Sequence, residues 1–249
     1  MGPPWVEGEK IPDDRVREIY KPPPGVPTTF YRSSLVIGSR GVGKTTLFRY
    51  QKDVHGEMAI HISLATEFAS LTKQTGLGPL TTDFTATMHQ LIAGKATALL
   101  ALSIIGRLQR RNIVAQTDLV VACLPTQFSS AGAVLGPDNI SRLTTSVAAE
   151  PLKSFDGISA RRPLPALVSS LGRMAYQRRG ALLLLLDRAD MVLTPALEPA
   201  FELLDQSDQY VALMAMRPGP AGQALAVLGD TNCRRRPLRH RTSRHPTSI

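Results

Sequence analysis

One octapeptide constrains this chain more than any other feature: Gly-Ser-Arg-Gly-Val-Gly-Lys-Thr at residues 38–45. It matches the pattern G-x-x-x-x-G-K-[ST] at every fixed position. Glycines in this pattern let the backbone wrap closely around a phosphate chain with its N–H groups pointing inward. The lysine can reach the β- and γ-phosphates of a nucleotide, and the final hydroxyl can ligate Mg²⁺. A strand must precede such a loop and a helix must follow it.

The sequence on both sides of the octapeptide fits this requirement. Ser34–Gly38 is an apolar run that ends in glycine and predicts a buried strand, and a helix is predicted from Lys44 to about Lys52. The N-terminus of that helix would face the negative charge. We therefore predict that nine residues bind the phosphates of ATP: Gly38, Ser39, Arg40, Gly41, Val42, Gly43, Lys44, Thr45 and Thr46.

Further apolar runs define the fold class. Met58–Leu64, Ala181–Leu186 and Tyr210–Met216 each predict a strand, and helical patterns separate them. Strands that are almost entirely apolar and alternate with helices indicate an α/β fold with a parallel sheet sandwiched by helices. We predict a P-loop NTPase, with a mostly helical insertion at about residues 66–180 between the second strand and the strand that precedes Asp187.

Charged residues follow two of the predicted strands. Asp187 ends an apolar strand, as does the aspartate that contacts Mg²⁺ in phosphate-loop proteins, so Thr45 and Asp187 are the predicted metal ligands. Asp190 is a candidate to orient and polarise an attacking water. Arg217 follows the last strand and is a candidate to sense the γ-phosphate, because neighbouring strand ends in a parallel sheet converge on one crevice. The alternatives are a helix cap for each aspartate and a solvated surface charge for the arginine.

Together these motifs resemble the AAA+ and STAND ATPases, and residues 35–47 are similar to bacterial origin-recognition-like ATPases. The D-x-x-D form at residues 187–190 looks more like the STAND proteins, and an arginine at position 188 replaces the second acid of the Asp-Glu pair found in many ATPases. The resemblance implies Mg²⁺-dependent ATP binding and hydrolysis. It implies that Lys44 and Thr45 act in the phosphate loop and that Asp187 contacts magnesium. Asp190 would polarise the attacking water, and Arg217 would act as the sensor.

The resemblance covers about residues 30–65 and 181–220. Lys44 and Asp187 are 143 residues apart, which indicates the helical insertion, and 32 residues follow Arg217. Those are fewer than the helical lid and winged helix of origin-recognition-like relatives require, so we expect the ATPase core alone. AAA+ relatives usually take an arginine finger from a neighbouring subunit, which implies a homo-oligomer or a protein partner. The candidates here are Arg161, Arg162, Arg173, Arg178 and Arg179.

Several functional classes share this loop. The leading hypothesis is an ATPase whose hydrolysis drives a conformational change. The alternatives are a switch that binds ATP with little turnover and a small-molecule kinase. A GTPase is disfavoured because the sequence has no N-K-x-D tetrad and its acidic strand does not end in D-x-x-G.

The net charge of +9 is concentrated at the C-terminal end. Residues 234–249 contain six arginines and no acid, so the formal charge of the remainder is only +3. We predict a Pro-rich extended arm at residues 1–29, an ATPase domain at 30–230 and a basic disordered tail at 231–249. A nucleic-acid-associated ATPase that uses this tail is a further alternative, although no aromatic residue separates the arginines for base stacking.

Targeting signals and cysteine usage indicate a compartment. The two cysteines, Cys123 and Cys233, exclude a disulfide scaffold and favour a reducing environment. The N-terminal residues do not read as a signal peptide, and the uncharged apolar stretch Ala96–Gly106 is shorter than a membrane span. We therefore expect a cytoplasmic protein that does not use a membrane.

Overall fold

The structure is a computed structural model that describes residues 11–12, 15–22, 25–79, 81, 84–113, 137–155, 164–178, 180–205 and 207–219. The predicted basic tail at 231–249 lies outside these residues. So do Cys123, Cys233 and three of the arginine-finger candidates: Arg161, Arg162 and Arg179.

Four parallel strands form a sheet with the order β1-β4-β3-β2. They are β1 (Ser34–Ile37), β2 (Ala59–Ser63), β3 (Leu182–Asp187) and β4 (Tyr210–Met216). All six residues of β3 are buried, in agreement with the uninterrupted apolar run that predicted this strand. The α/β class and the parallel sheet are thus confirmed for the described residues.

Eight α-helices accompany the sheet in the described residues. They are α1 (Val16–Ile19), α2 (Lys44–His55), α3 (Leu64–Glu67), α4 (Ala69–Thr75), α5 (Ala86–Arg110), α6 (Pro137–Ala149), α7 (Leu164–Arg178) and α8 (Thr194–Glu202). Short 3₁₀ helices lie at Gly56–Met58, Leu152–Ser154 and Ala189–Met191. The described elements between β2 and β3 are therefore helical, as the sequence predicts for this interval.

Two apolar clusters cover opposite faces of the sheet. Successive side chains of a strand point to opposite faces, and β3 follows this rule. Leu182, Leu184 and Leu186 pack into a large cluster with most of the helices. Leu183 and Leu185 pack into a smaller cluster with Phe48 of α2. The predicted arrangement of helices on both faces is confirmed.

Helix α5 is the most deeply buried helix of the insertion. Its N-terminus is capped by Thr85, whose side chain accepts a hydrogen bond from the Met88 amide at 3.2 Å. By length and composition alone α5 is apolar enough to cross a membrane, but 72% of its most apolar window is buried inside the protein. A central core helix of a folded domain has the same properties, so this composition is weak evidence for a membrane span.

The prediction of an extended N-terminal arm is wrong at residues 16–19, which form helix α1. Val16 is fully buried there, and Arg49 of α2 donates a hydrogen bond to the carbonyl of Ile11. Gln51 of α2 donates to the carbonyl of Thr28 at 3.0 Å. The prolines that predicted an extended backbone restrict φ, but the apolar residues between them pack on α2. This segment therefore supports the helix that follows the phosphate loop.

A buried lysine joins three helices of the insertion. Lys95 of α5 has no exposed surface, and its ammonium group donates to the Gln74 side chain at 2.9 Å and to the carbonyl of Ala148 at 3.3 Å. It also donates to the carbonyl of Glu150. Cations stabilise the C-terminal ends of helices, and α6 ends at these carbonyls. Burial lowers the pKa of Lys95 to about 8, although the nearby Glu150 carboxylate acts in the opposite direction.

This lysine makes stability depend on pH in a defined direction. Between pH 8 and the ordinary lysine pKa of 10.5, the unfolded chain binds more protons at Lys95 than the folded chain does. The free energy of unfolding must then rise with pH in this window, by at most about 1.4 kcal/mol per pH unit. The free energy of unfolding, measured with urea at about pH 7.5 and 9.5, should rise with pH more steeply for the wild type than for Lys95→Met. Parallel pH dependence in the two proteins would contradict this.

Candidate nucleotide-binding site

The predicted site residues meet at the carboxyl-terminal edge of the sheet. Ile37 of β1 lies beside Met216 of β4, and Ser63 of β2 lies beside Asp187 of β3. Because β4 lies between β1 and β3, Arg217 leaves the sheet between the phosphate loop and the acidic strand end. Ligands of open parallel sheets bind in a crevice at this edge.

The glycines of the loop have conformations that other residues adopt only with strain. Gly41 and Gly43 have φ values of 84° and 88°, in the left-handed region that favours glycine. At Gly38 a Cβ atom would lie 2.7 Å from Cγ2 of Val42. The Gly38 amide donates to the carbonyl of Met216 at 3.2 Å, which ties the start of the loop to β4. The loop is thus a compact turn anchored to the strand that precedes Arg217.

Helix α2 begins directly after the loop. No side chain caps its N-terminus, and its first turn, Lys44 to Leu47, contains no acidic residue. Such an N-terminus leaves backbone amides and a partial positive charge available to an anion. Thr46 is only 6% exposed, so its side chain is not open to a ligand and its predicted contact with a phosphate would come from its backbone amide. Ser39, Arg40 and Val42 are exposed on the loop.

Lys44 turns back over the loop. Its ammonium group donates to the carbonyl of Gly38 at 2.6 Å and to that of Ser39 at 2.9 Å. Burial lowers the pKa of Lys44, the carboxylates of Asp190 and Asp187 oppose that shift, and the Arg217 guanidinium adds to it. These influences place Lys44 within electrostatic reach of all three charged strand-end residues.

Asp187 is held by several contacts. Its side chain is buried, and Oδ1 accepts a hydrogen bond from the Arg188 amide at 2.8 Å. The Thr45 hydroxyl donates to the same carboxylate. Burial by itself would raise the pKa of Asp187, but the contacts from His61, Thr45 and the Arg188 amide outweigh it and lower the pKa. The two predicted metal ligands, Thr45 and Asp187, are therefore in contact.

Sequence analysis did not assign a role to His61, which lies on β2 beside this carboxylate. His61 Nε2 is 3.5 Å from Asp187 Oδ2, within electrostatic reach of this carboxylate. Nε2 is buried and forms no hydrogen bond with any described residue, and the ring meets Phe48 edge-on. A lone histidine in an apolar strand was the available signal, but its meaning depends on the pairing of β2 with β3.

Asp190 and Arg217 are bonded to each other. Arg217 Nε donates to Asp190 Oδ2 in an ion pair, and the side chains are 12% and 41% exposed for Asp190 and Arg217, respectively. Arg188 has a φ of 57°, an unusual value for a residue other than glycine. This turn starts the 3₁₀ helix Ala189–Met191, which carries Asp190. The predicted catalytic residues are thus brought together, each already engaged by the other.

The charges of Lys44 and Arg217 balance those of Asp187 and Asp190, and the exposed Arg40 of the loop adds one positive charge. A triphosphate would bring several negative charges, more than this single excess charge offsets, so it needs a compensating cation. Within the described residues, no group of three or more histidine, cysteine or acidic side chains could hold a metal. Thr45 and Asp187 supply oxygen ligands, and Mg²⁺ is commonly bound by one or two carboxylates together with substrate phosphates and water. These donors fit a magnesium ion that arrives with a nucleotide.

Comparisons with protein-family models, curated proteins and solved structures find no match to this chain. We therefore base the functional interpretation on the geometry of the site. Of the arginine-finger candidates within the described residues, Arg173 is an exposed residue of α7 and Arg178 is the last residue of that helix.

A leucine at position 61 tests the contact between His61 and Asp187. His61→Leu removes the ring nitrogen beside the carboxylate, and burial then opposes ionisation with less compensation. We expect the pKa of Asp187 to rise, as followed by a ¹³C NMR titration of its carboxyl group. His89→Leu is the matched control, because His89 pairs with Glu198 at 3.2 Å between α5 and α8. An Asp187 pKa that responds equally to both substitutions would contradict the assignment.

Proposed function

We propose that this chain is a P-loop nucleotide-binding protein that binds ATP with Mg²⁺ at the carboxyl edge of its sheet. One observation carries the proposal: a single edge of the sheet gathers the phosphate loop, Asp187, Asp190 and Arg217, although the loop and the acidic residues are more than 140 residues apart in sequence. The complete loop motif, the four-stranded parallel sheet and the resemblance to AAA+ and STAND ATPases support the same interpretation.

Phosphate binding is the first task of the site. Loop amides and the N-terminus of α2 provide donors and partial positive charge. Lys44 would exchange the carbonyls of Gly38 and Ser39 for β- and γ-phosphate oxygens, a gain because charge-assisted hydrogen bonds to anions are stronger than those to neutral carbonyls.

Magnesium is the cofactor that the oxygen donors fit. Thr45 and Asp187 would hold it, and the ion would neutralise the phosphate charge that Arg40, Lys44 and Arg217 do not offset. The low pKa of Asp187 keeps this carboxylate ionised and ready to act as a ligand at neutral pH. His61 lies against Oδ2 of that carboxylate and so helps to orient it.

Hydrolysis needs two further groups. Asp190 would orient water and accept its proton, and Arg217 would stabilise negative charge on the transferred phosphoryl group. Absence of the N-K-x-D and D-x-x-G patterns favours ATP over GTP as the ligand. A switch with little turnover is the second candidate function, because Asp190 is engaged by Arg217 and is not available to water while that pair persists.

Nucleotide binding by the purified protein is the direct test, and Lys44→Ala is the decisive variant. Loss of one charge-assisted phosphate contact should weaken ATP binding by about 10- to 100-fold. Isothermal titration with Mg²⁺ and ATP, compared with GTP, measures this. Lys52→Ala is the matched control: it removes the same charge about 12 Å further along α2, in the last turn. Equal affinities in the two variants would contradict the proposal.

The two aspartates should differ when each is replaced by asparagine. Asp187→Asn should weaken nucleotide binding in the presence of Mg²⁺ and leave metal-free binding nearly unchanged, since the lost charge faces the metal. Asp190→Asn should bind nucleotide at least as tightly as the wild type and slow hydrolysis by about 100-fold or more. Calorimetry with and without EDTA gives the first result, and a phosphate-release assay gives the second. Normal metal dependence in Asp187→Asn, or normal hydrolysis in Asp190→Asn, would overturn the respective role.

A further inference from the structure

We propose that the ion pair between Asp190 and Arg217 is a latch that a γ-phosphate opens, and that it makes the site discriminate between nucleoside triphosphates and diphosphates. Asp190 pairs with Arg217 in the structure. A γ-phosphate supplies a competing anion, takes Arg217 and leaves Asp190 free to orient water. This inference rests on the proposed nucleotide-binding function and adds a regulatory role for the pair.

The position of the pair carries the inference. Arg217 directly follows Met216, whose carbonyl accepts the hydrogen bond from the Gly38 amide at the start of the phosphate loop. Arg217 therefore leaves the sheet next to the loop that would hold the phosphates. Its side chain is 41% exposed and so reaches solvent in the crevice, whereas the Asp190 side chain is 12% exposed. The arginine is the more exposed partner and the aspartate is the more buried one.

The backbone around Asp190 explains why it is fixed. Arg188 in the left-handed conformation turns the chain sharply after β3, and Asp190 follows on a short 3₁₀ helix. Ala189 before it and Val192 two residues after it are buried and anchor this turn in the core. Asp187 is fixed three residues earlier by the Arg188 amide and Thr45. Both carboxylates are thus set by one turn, but only Asp190 is paired with a cation that can leave.

Partner exchange follows from the charges in the crevice. The carboxylates of Asp187 and Asp190 stabilise the charged form of Lys44, and the Arg217 guanidinium destabilises it. A phosphate offers more acceptor oxygens and more negative charge than a carboxylate. The planar guanidinium group can donate two hydrogen bonds to two oxygens of the same phosphate. ADP leaves the γ-position empty, so it gives Arg217 no new partner. A ligand shifts an equilibrium only through its different affinities for the two states, and here only the triphosphate has that difference.

Nucleotide affinities of four proteins test the latch: the wild type, Asp190→Asn, Arg217→Ala and the double variant. Isothermal titration with Mg²⁺ gives the Kd of a non-hydrolysable ATP analogue and of ADP for each. Asparagine has the shape of aspartate and lacks its charge, so this substitution removes the ion pair with Arg217 and keeps the size of the side chain. Asp190→Ala serves as a second variant if the first does not fold, and thermal unfolding reports the folded state of each.

The latch predicts a specific pattern of affinities. Asp190→Asn should tighten binding of the ATP analogue by about threefold to tenfold, because no ion pair has to be broken, with ADP affinity unchanged. Arg217→Ala should weaken binding of the analogue and leave ADP binding unchanged. In the Arg217→Ala background, Asp190→Asn should no longer tighten binding of the analogue more than binding of ADP, since no pair remains to be broken.

Other results would overturn the latch. Equal tightening for ADP and the ATP analogue, or a selective tightening of the analogue that persists without Arg217, would mean that Asp190 only repels phosphate charge. No change in Asp190→Asn would mean that the pair is structural. In each of these cases Lys44-dependent ATP binding would remain, so the proposed function would stand. A wild-type protein that binds neither nucleotide would instead remove the proposed function, and the latch with it.

Discussion

Parallel hydrogen bonding among β1, β4 and β3 brings three distant segments to one edge of the sheet. Each strand ends there on a different chemical group: the phosphate loop after β1, Arg217 after β4 and Asp187 at the end of β3. A slip of one residue in any pairing would turn side chains to the opposite face of the sheet. The two apolar clusters that cover the sheet fix that register, so the core also fixes the geometry of the site.

Each charged group of the crevice already has a partner within the protein. Lys44 contacts loop carbonyls, Asp187 accepts from Thr45, and Asp190 pairs with Arg217. On the proposed function, a nucleotide would take Lys44 and Arg217 away from these partners. That exchange would move the Lys44 side chain on α2 and the Arg217 side chain after β4, and phosphate binding would thereby alter conformation.

Patterns within short stretches of sequence predicted the loop and individual strands, which depend mainly on neighbouring residues. Glycine spacing and uninterrupted apolar runs defined the loop, β1, β3 and β4 without knowledge of strand order. The contact of His61 with Asp187 depends on the pairing of β2 with β3, which no periodicity encodes. The Asp190–Arg217 pair similarly depends on a left-handed turn at Arg188. The prolines predicted an extended N-terminal arm. Residues 16–19 instead form helix α1, which contains the buried Val16 and packs on α2.

A crystal structure with Mg²⁺ and a non-hydrolysable ATP analogue is the most direct test of the account. It predicts the β- and γ-phosphates within the loop at residues 38–45, with Lys44 moved from the carbonyls to phosphate oxygens. The metal should lie between the phosphates, Thr45 and Asp187. A nucleotide bound elsewhere, with Lys44 still on the carbonyls of Gly38 and Ser39, would contradict the central claim.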